Sequence, residues 1–144
     1  MENPNYHLLK ADYRAESLFQ IISGLVNSIN KLKERQKEGG WYDGLWLLED
    51  TEPIFGLAFI AFQNYINGTI KDFYETTDNK TVYYKIEPNL VGFQKSSIEL
   101  VIGLANYIKH KEDLKLHSGT KNILDCFGLN NSDEKLQNHQ FLMD

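Results

Sequence analysis

Two apolar stripes at helical spacing decide the fold class. Between Tyr13 and about Lys37, Leu18, Ile22, Leu25, Ile29 and Leu32 recur at intervals of 4, 3, 4 and 3. That rhythm places one apolar side chain per turn on a single face, as a helix-packing seam requires. Ile21 and Val26 widen the stripe. Asp12 is the N-cap this pattern suggests, and Gly39-Gly40 stop the helix. Residues 1–12 are polar, hold Pro4 and read as a loose arm.

The second stripe begins near Thr51, with Asp50 or Thr51 as cap and Pro53 in the first turn, and runs to about Thr76. Phe55, Phe59, Phe62, Ile66, Ile70 and Phe73 share one face, with Ile54, Ala58 and Tyr65 beside them. The helix is apolar round much of its circumference, so it is expected to be the central one. Gly56 and Gly68 mark close helix contacts. Ahead of it, Trp41, Tyr42 and Trp46 make a dense aromatic connector that reads either as a core lid or as a binding platform.

Residues 77–95 break the helical rhythm. Thr81-Val-Tyr-Tyr-Lys-Ile86 has strand-like composition, but a lone strand finds no partner, so this is expected to be an ordered loop with at most a short extended piece. Ser96 or Ser97 caps a further helix to about His110. Thr120 to Phe127 makes a shorter one, with Ser118 as cap and Gly128 as stop. Ser132 to about Leu142 reads as a marginal helix or a frayed tail. The sum is an all-α chain. It is expected to be a single domain over 1–144, an up-and-down bundle of four main helices, with loose or marginal tails at 1–12 and 131–144.

Composition narrows the function classes. The net charge is −5, and the fifteen basic residues include only Arg14 and Arg35 as arginines. That balance argues against a broad nucleic-acid surface. Cys126 is the single cysteine, so no intramolecular disulfide forms and a reducing compartment is expected. The N-terminus lacks a signal-peptide pattern. The longest apolar run, 54–62, is nine residues, too short for a bilayer. The expectation is a cytoplasmic protein with no membrane span. His7, His117 and His139 have no partners at metal-ligand spacing, so neither a metal nor a cofactor is expected. Phosphate-binding glycine loops, paired cysteines and nucleophile motifs are missing.

One segment carries candidate chemistry. At about 100° per residue, Ile98, Val101, Ile102, Leu104, Ala105 and Ile108 share one broad side of the helix ending at His110. Glu99, Gly103, Asn106 and His110 share the opposite stripe. His110 is of the type that serves as general acid or base near neutral pH. Asn106 is placed to orient it or to hold a substrate oxygen. Gly103 leaves room for a ligand or a partner backbone. Lys109 and Lys111 suit a phosphate. The plainer reading stands beside this one: a polar stripe opposite an apolar one is what any solvated helix presents. Cys126 reads as a small buried residue or, less simply, a reactive thiol.

The segment Ile98 to Asp113, followed by Leu116 to Leu129, resembles all-helical bacterial proteins of the HEPN-like kind. There, an Asn-aromatic-x-Lys-His run ends one core helix and a short helix closing in Gly-Leu follows. Gln63-Asn-Tyr-Ile66 in the preceding long helix fits the same pattern, so the resemblance spans about residues 13–129. It implies a HEPN-like bundle, a homodimer, and a link to RNA-targeting defence or toxin–antitoxin systems. Active HEPN ribonucleases carry an arginine, often a polar residue, three further residues and a histidine. Asn106 and His110 match the second and last of these, but the arginine position is Ala105. An alanine cannot stabilise charge on a phosphorane-like centre. The leading expectation is therefore a non-catalytic binding or regulatory module presenting Glu99, Asn106 and His110 at an interface or to a small ligand. A metal-independent ribonuclease using His110 and Asn106 at a dimer cleft is the alternative. A third reading is an antitoxin-like partner whose acidic surface masks a basic protein.

Overall fold

The computed structural model describes the backbone of residues 5–129 and the side chains of residues 13–129. It is all-α, with five helices among the described residues: α1 (Asn5–Lys37), α2 (Gly44–Tyr74), the single turn α3 (Lys80–Tyr83), α4 (Ser97–His110) and α5 (Ser118–Cys126). The chain divides into two compact units, Met1–Lys80 and Thr81–Asp144. The helix or tail expected at 132–142 lies outside the described residues.

The first unit is an antiparallel hairpin of α1 and α2. Its register is fixed at both ends. Gln36 meets Gly44 near the turn, and Arg14 meets Gly68 at the far end. Arg14 Nε and Nη2 donate to Asp72 Oδ2 and Oδ1 at 2.9 and 3.4 Å. A Cβ on Gly68 would stand 2.7 Å from the Arg14 guanidinium, so this glycine is a close contact as its sequence setting suggests. The α1 seam is the expected one: Leu18, Ile22, Leu25, Ile29 and Leu32 are all half-buried.

Three expectations for this unit need correction. The first helix runs from Asn5, so position 12 is helical and not a cap, and residues 5–12 belong to the helix rather than to a loose arm. The second helix begins seven residues before Thr51, because Asp43 caps it: its carboxylate accepts from Leu45 N at 3.0 Å and Trp46 N at 3.2 Å. Trp46 of the aromatic connector is therefore helical, and Pro53 falls inside the helix rather than in its first turn. Buried Thr51 donates its hydroxyl to the Leu47 and Leu48 carbonyls instead of capping. Third, the apolar face of α2 is not uniformly covered: Ile70 is buried and Phe59 and Ile66 are half-buried, but Phe55, Phe62 and Phe73 are exposed. The seam toward α1 runs instead through half-buried Ile54, Ala58, Ala61, Tyr65 and Gly68.

The turn between these helices opens with Gly39 and Gly40 at φ +80° and +89°, a left-handed conformation that a side chain resists. The aromatic cluster beyond it divides. Tyr42 is buried and donates its hydroxyl to Asp50 Oδ2 at 2.8 Å. Trp41 and Trp46 stay exposed, edge to face at 5.6 Å. The Arg35 guanidinium lies over both Tyr42 and Trp41, at 4.6 and 5.2 Å from the ring centroids.

The second unit packs α5 on α4. Ile102, Ala105 and Leu124 are its buried apolar residues on these two helices, with Thr120 buried beside them. Gly103 lets α5 approach: a Cβ there would lie 2.5 Å from Ile123 Cγ2 and 3.2 Å from Ile123 Cβ. Ile123 is β-branched and stiff at χ1, so it yields little. The strand-like stretch from Thr81 is helical rather than extended, as α3 and then the turn bonds Lys85 N to Val82 O and Ile86 N to Tyr83 O. Its β-branched and aromatic residues have no sheet edge to join. Only an isolated bridge, Asn89 with Ser96, is extended among the described residues. Gly103→Ala is expected to cost about 1–3 kcal/mol through overpacking. Ile123→Ala in the same chain should recover part of that loss, which a urea-denaturation double-mutant cycle would measure.

Candidate functional site

Helix α4 carries the residues that read as candidate chemistry. Its N-terminus is held by a capping box. Ser96 Oγ accepts from Glu99 N at 3.2 Å, and Glu99 Oε2 accepts from Ser96 N at 3.0 Å. Ser96 is fully buried and also donates its hydroxyl to the Tyr84 carbonyl at 2.6 Å. Lys95 Nζ donates to the other Glu99 oxygen at 3.0 Å. The loop leading in is closed by Leu90 N to Lys95 O at 2.9 Å. Ser97 Oγ adds a bond to Glu87 Oε2 at 2.8 Å, and the Phe93 and Phe127 rings meet at 4.8 Å.

The stripe read from the sequence therefore divides along its length. Glu99 is 5% exposed, with both carboxylate oxygens engaged in holding the helix start. Gly103 is buried, and the space it leaves is filled by Ile123 of α5 rather than open to a ligand. Asn106 is half-buried. His110 and Lys109 are exposed at the helix end. Glu99 and His110 stand eleven residues apart, about 16 Å along the axis, so they do not converge on one ligand atom. The buried arc of α4 consists of Glu99, Ile102, Gly103 and Ala105. Part of the polar stripe thus faces inward, while Val101, Leu104 and Ile108 on the expected apolar side are only half-buried.

At the exposed end, His110 Nδ1 lies 2.8 Å from Asp113 Oδ2, with both side chains more than half open. A carboxylate on one ring nitrogen orients an imidazole and leaves the other nitrogen for proton transfer. Ala105 is 0% exposed. His117 caps α5, its Nδ1 accepting from Gly119 N at 3.2 Å. Cys126 is a half-buried free thiol. Among the described residues no three His, Cys, Asp or Glu side chains gather as a metal site. Nor is any helix among them long and apolar enough to cross a membrane.

A concavity also lies on the hairpin. A shallow groove of about 220 Å³ between α1 and α2 is lined by Tyr13, Arg14, Ser17, Ile21, Asn64 and Tyr65, among others. Sequence reasoning missed it because its two walls lie about fifty residues apart, and only their heptad spacing hints that they meet. Neither a family model, nor a curated protein, nor a solved structure matches this chain.

Two predictions concern the α4 start. Ser96→Ala removes an N-cap and a buried partner of the Tyr84 carbonyl, and is expected to cost about 1–3 kcal/mol. Glu99→Gln keeps an acceptor for Ser96 N but turns an amide N–H toward the Lys95 ammonium, and is expected to cost about 1–2 kcal/mol. Chemical denaturation ranks the two. Separately, burial pushes the Tyr84 phenol above its ordinary value of 10.0. Folding therefore favours its neutral form. That contribution is complete below pH 10 and is lost as pH rises through the higher native value. Thermal melts across this window should show stability falling, with a shallower fall in Tyr84→Phe.

Proposed function

We propose that this chain is a HEPN-like, non-catalytic interaction module, built as a bundle of four main helices and acting in the cytoplasm as a homodimer. Its link to RNA-targeting defence or toxin–antitoxin biology rests on the resemblance in residues 98–129. The cytoplasmic setting rests on the single cysteine. The observation that carries the interaction reading is the apolar surface of the hairpin. Phe19 is 64% exposed, Leu48 66% and Phe55 50%, and large apolar side chains left open on one element are the kind of surface that interaction sites use.

Helix α4 supports the non-catalytic half of the reading. Glu99 and Gly103 serve the fold, and Ala105 sits at a fully buried position. An arginine there would have to bury a guanidinium, at a cost of several kcal/mol unless paired. The residue types of the ribonuclease motif are thus present only at Asn106 and His110.

One observation favours the ribonuclease reading, the His110–Asp113 pair at 2.8 Å. In that reading His110 acts as general base or acid and Asn106 orients the phosphate, at a cleft between two copies. Incubating the purified chain and His110→Ala with a mixed set of labelled RNAs separates the two. The expected result is no cleavage by either. Cleavage by the parent chain that disappears in His110→Ala would put the ribonuclease first.

A further inference from the structure

The groove on the α1–α2 hairpin is bordered by a solitary charge. No Asp, Glu, Lys or Arg occurs from Ser17 to Asn30, and none from Pro53 to Ile70. The hairpin register, Arg14 beside Gly68 and Gln36 beside Gly44, sets these two uncharged stretches next to each other. The groove lies at one end of that strip. Among the described residues that line it, Arg14 alone is charged. In a chain of net charge −5 with two arginines, this makes a local positive site.

Arg14 is held in one orientation. Asp72 accepts from Nε and Nη2, which together form the side-on fork of a planar guanidinium. Gly68 lies against the guanidinium, and the Tyr13 ring centroid is 4.7 Å from its central carbon. In a planar guanidinium the bond to Nη1 points directly away from whatever the Nε–Nη2 fork grips. Asp72 lies one turn beyond Gly68, whereas Ser17, Ile21, Ala61 and Asn64 of the groove lie on the other side of Gly68 along the hairpin. Nη1 and its two N–H donors are therefore directed back toward the groove and take no part in the Asp72 pair. The arginine side chain is 33% exposed, so a ligand in the groove can reach it.

The donors on offer decide the ligand class. The groove lies in the middle of two long helices, where main-chain N–H groups are spent on helical bonds. A phosphate, which draws on several such donors at a helix start, finds a single nitrogen here. Its second negative charge would also stand close to Asp72. A carboxylate carries one charge and is satisfied by one guanidinium nitrogen. Beyond that nitrogen, the Tyr13 and Tyr65 rings and the Leu18 and Ile21 side chains give apolar contact. A volume of about 220 Å³ is below the range of drug-sized pockets and admits a body of about one ring. We infer that the groove binds a small organic monocarboxylate, its carboxylate on Arg14 Nη1 and its apolar body between Leu18, Ile21 and Tyr65. Asp72 is then a positioning residue, which aims the arginine. The site is separate from the α4 residues and goes beyond the reading of the chain as an interaction module.

The test is a titration of the full chain, followed by heteronuclear NMR, with three probes: phenylacetate, its neutral analogue phenylacetamide, and phenyl phosphate. The expected result is that phenylacetate shifts the amide signals around Ser17 and Asn64 and binds at least about tenfold more tightly than either of the others. Arg14→Gln is expected to bring phenylacetate down to the affinity of phenylacetamide. Asn64→Trp places a large side chain at the exposed rim. It is expected to abolish binding while the helical circular-dichroism spectrum stays unchanged. Equal affinity for acid and amide, tighter binding of phenyl phosphate, or phenylacetate binding that survives Asn64→Trp overturns the assignment, as does the absence of phenylacetate binding. If Arg14→Gln loses helical structure, the acid–amide comparison in the parent chain and the Asn64→Trp result decide without it.

Discussion

The small-residue seam of α2 determines most of what the hairpin does. Ala58, Ala61 and Gly68 lie toward α1, opposite the branched side chains of Leu18, Ile22 and Leu25. Small residues let two long helices approach closely, and burial of this kind, rather than helix propensity, is what holds helices of about thirty residues in place. At the far end the Arg14 guanidinium, on its way to Asp72, occupies the volume a Cβ on Gly68 would take, so a larger residue there would displace the arginine from its carboxylate. The cost of a small seam is displaced bulk. The phenylalanines of α2 cannot share the seam, so they stand on its flank. The aromatic exposure of the hairpin is thus a consequence of how closely α1 and α2 meet.

Helix α4 obeys the opposite economy, with polar groups inside. Glu99 can be buried because its partners are local: the Ser96 amide one turn back and the Lys95 ammonium four residues back. A carboxylate satisfied within its own turn needs no water, so burial removes little that is not replaced. Ser96 ties that turn to the Tyr84 carbonyl across twelve residues of loop. The loop from Tyr84 is therefore ordered by hydrogen bonds to a helix cap. A sheet ladder is not needed, even though its residues have strand-like composition.

These two mechanisms explain which features were legible in the sequence. The α1 seam, its glycine stop, the Ser96 cap and the Gly128 stop all express local rules, and each appears where spacing or a cap residue places it. The face assignments of α2 and α4 were harder to read. Hydrophobic periodicity equates apolar with inward, and both helices break that equation. On α2 there is more aromatic surface than one seam can take, and on α4 a capping carboxylate and a glycine occupy the buried arc. The start of α2 was hidden for a related reason. Pro53 signals a first turn, but Asp43 supplies a stronger cap ten residues earlier, and the helix runs through the proline. The Arg14–Asp72 pair spans 58 residues, and nothing in either local sequence announces it.

The same reasoning separates the chemistry this chain can hold from the chemistry it merely resembles. A catalytic constellation needs polar groups that converge and are not already consumed by the fold. Glu99 is consumed, Gly103 is filled, and position 105 points into the packed side of α4. His110 and Asp113 remain together at an open helix end. The hairpin has the complementary character: two adjoining stretches without a charged side chain, apolar on a flank the seam cannot use. Apolar area without charge recognises by fit and by exclusion of water, and it discriminates against charged partners by leaving their groups unpaired. The proposed recognition by this chain therefore lies in its first unit, away from the residues that most resemble an active site.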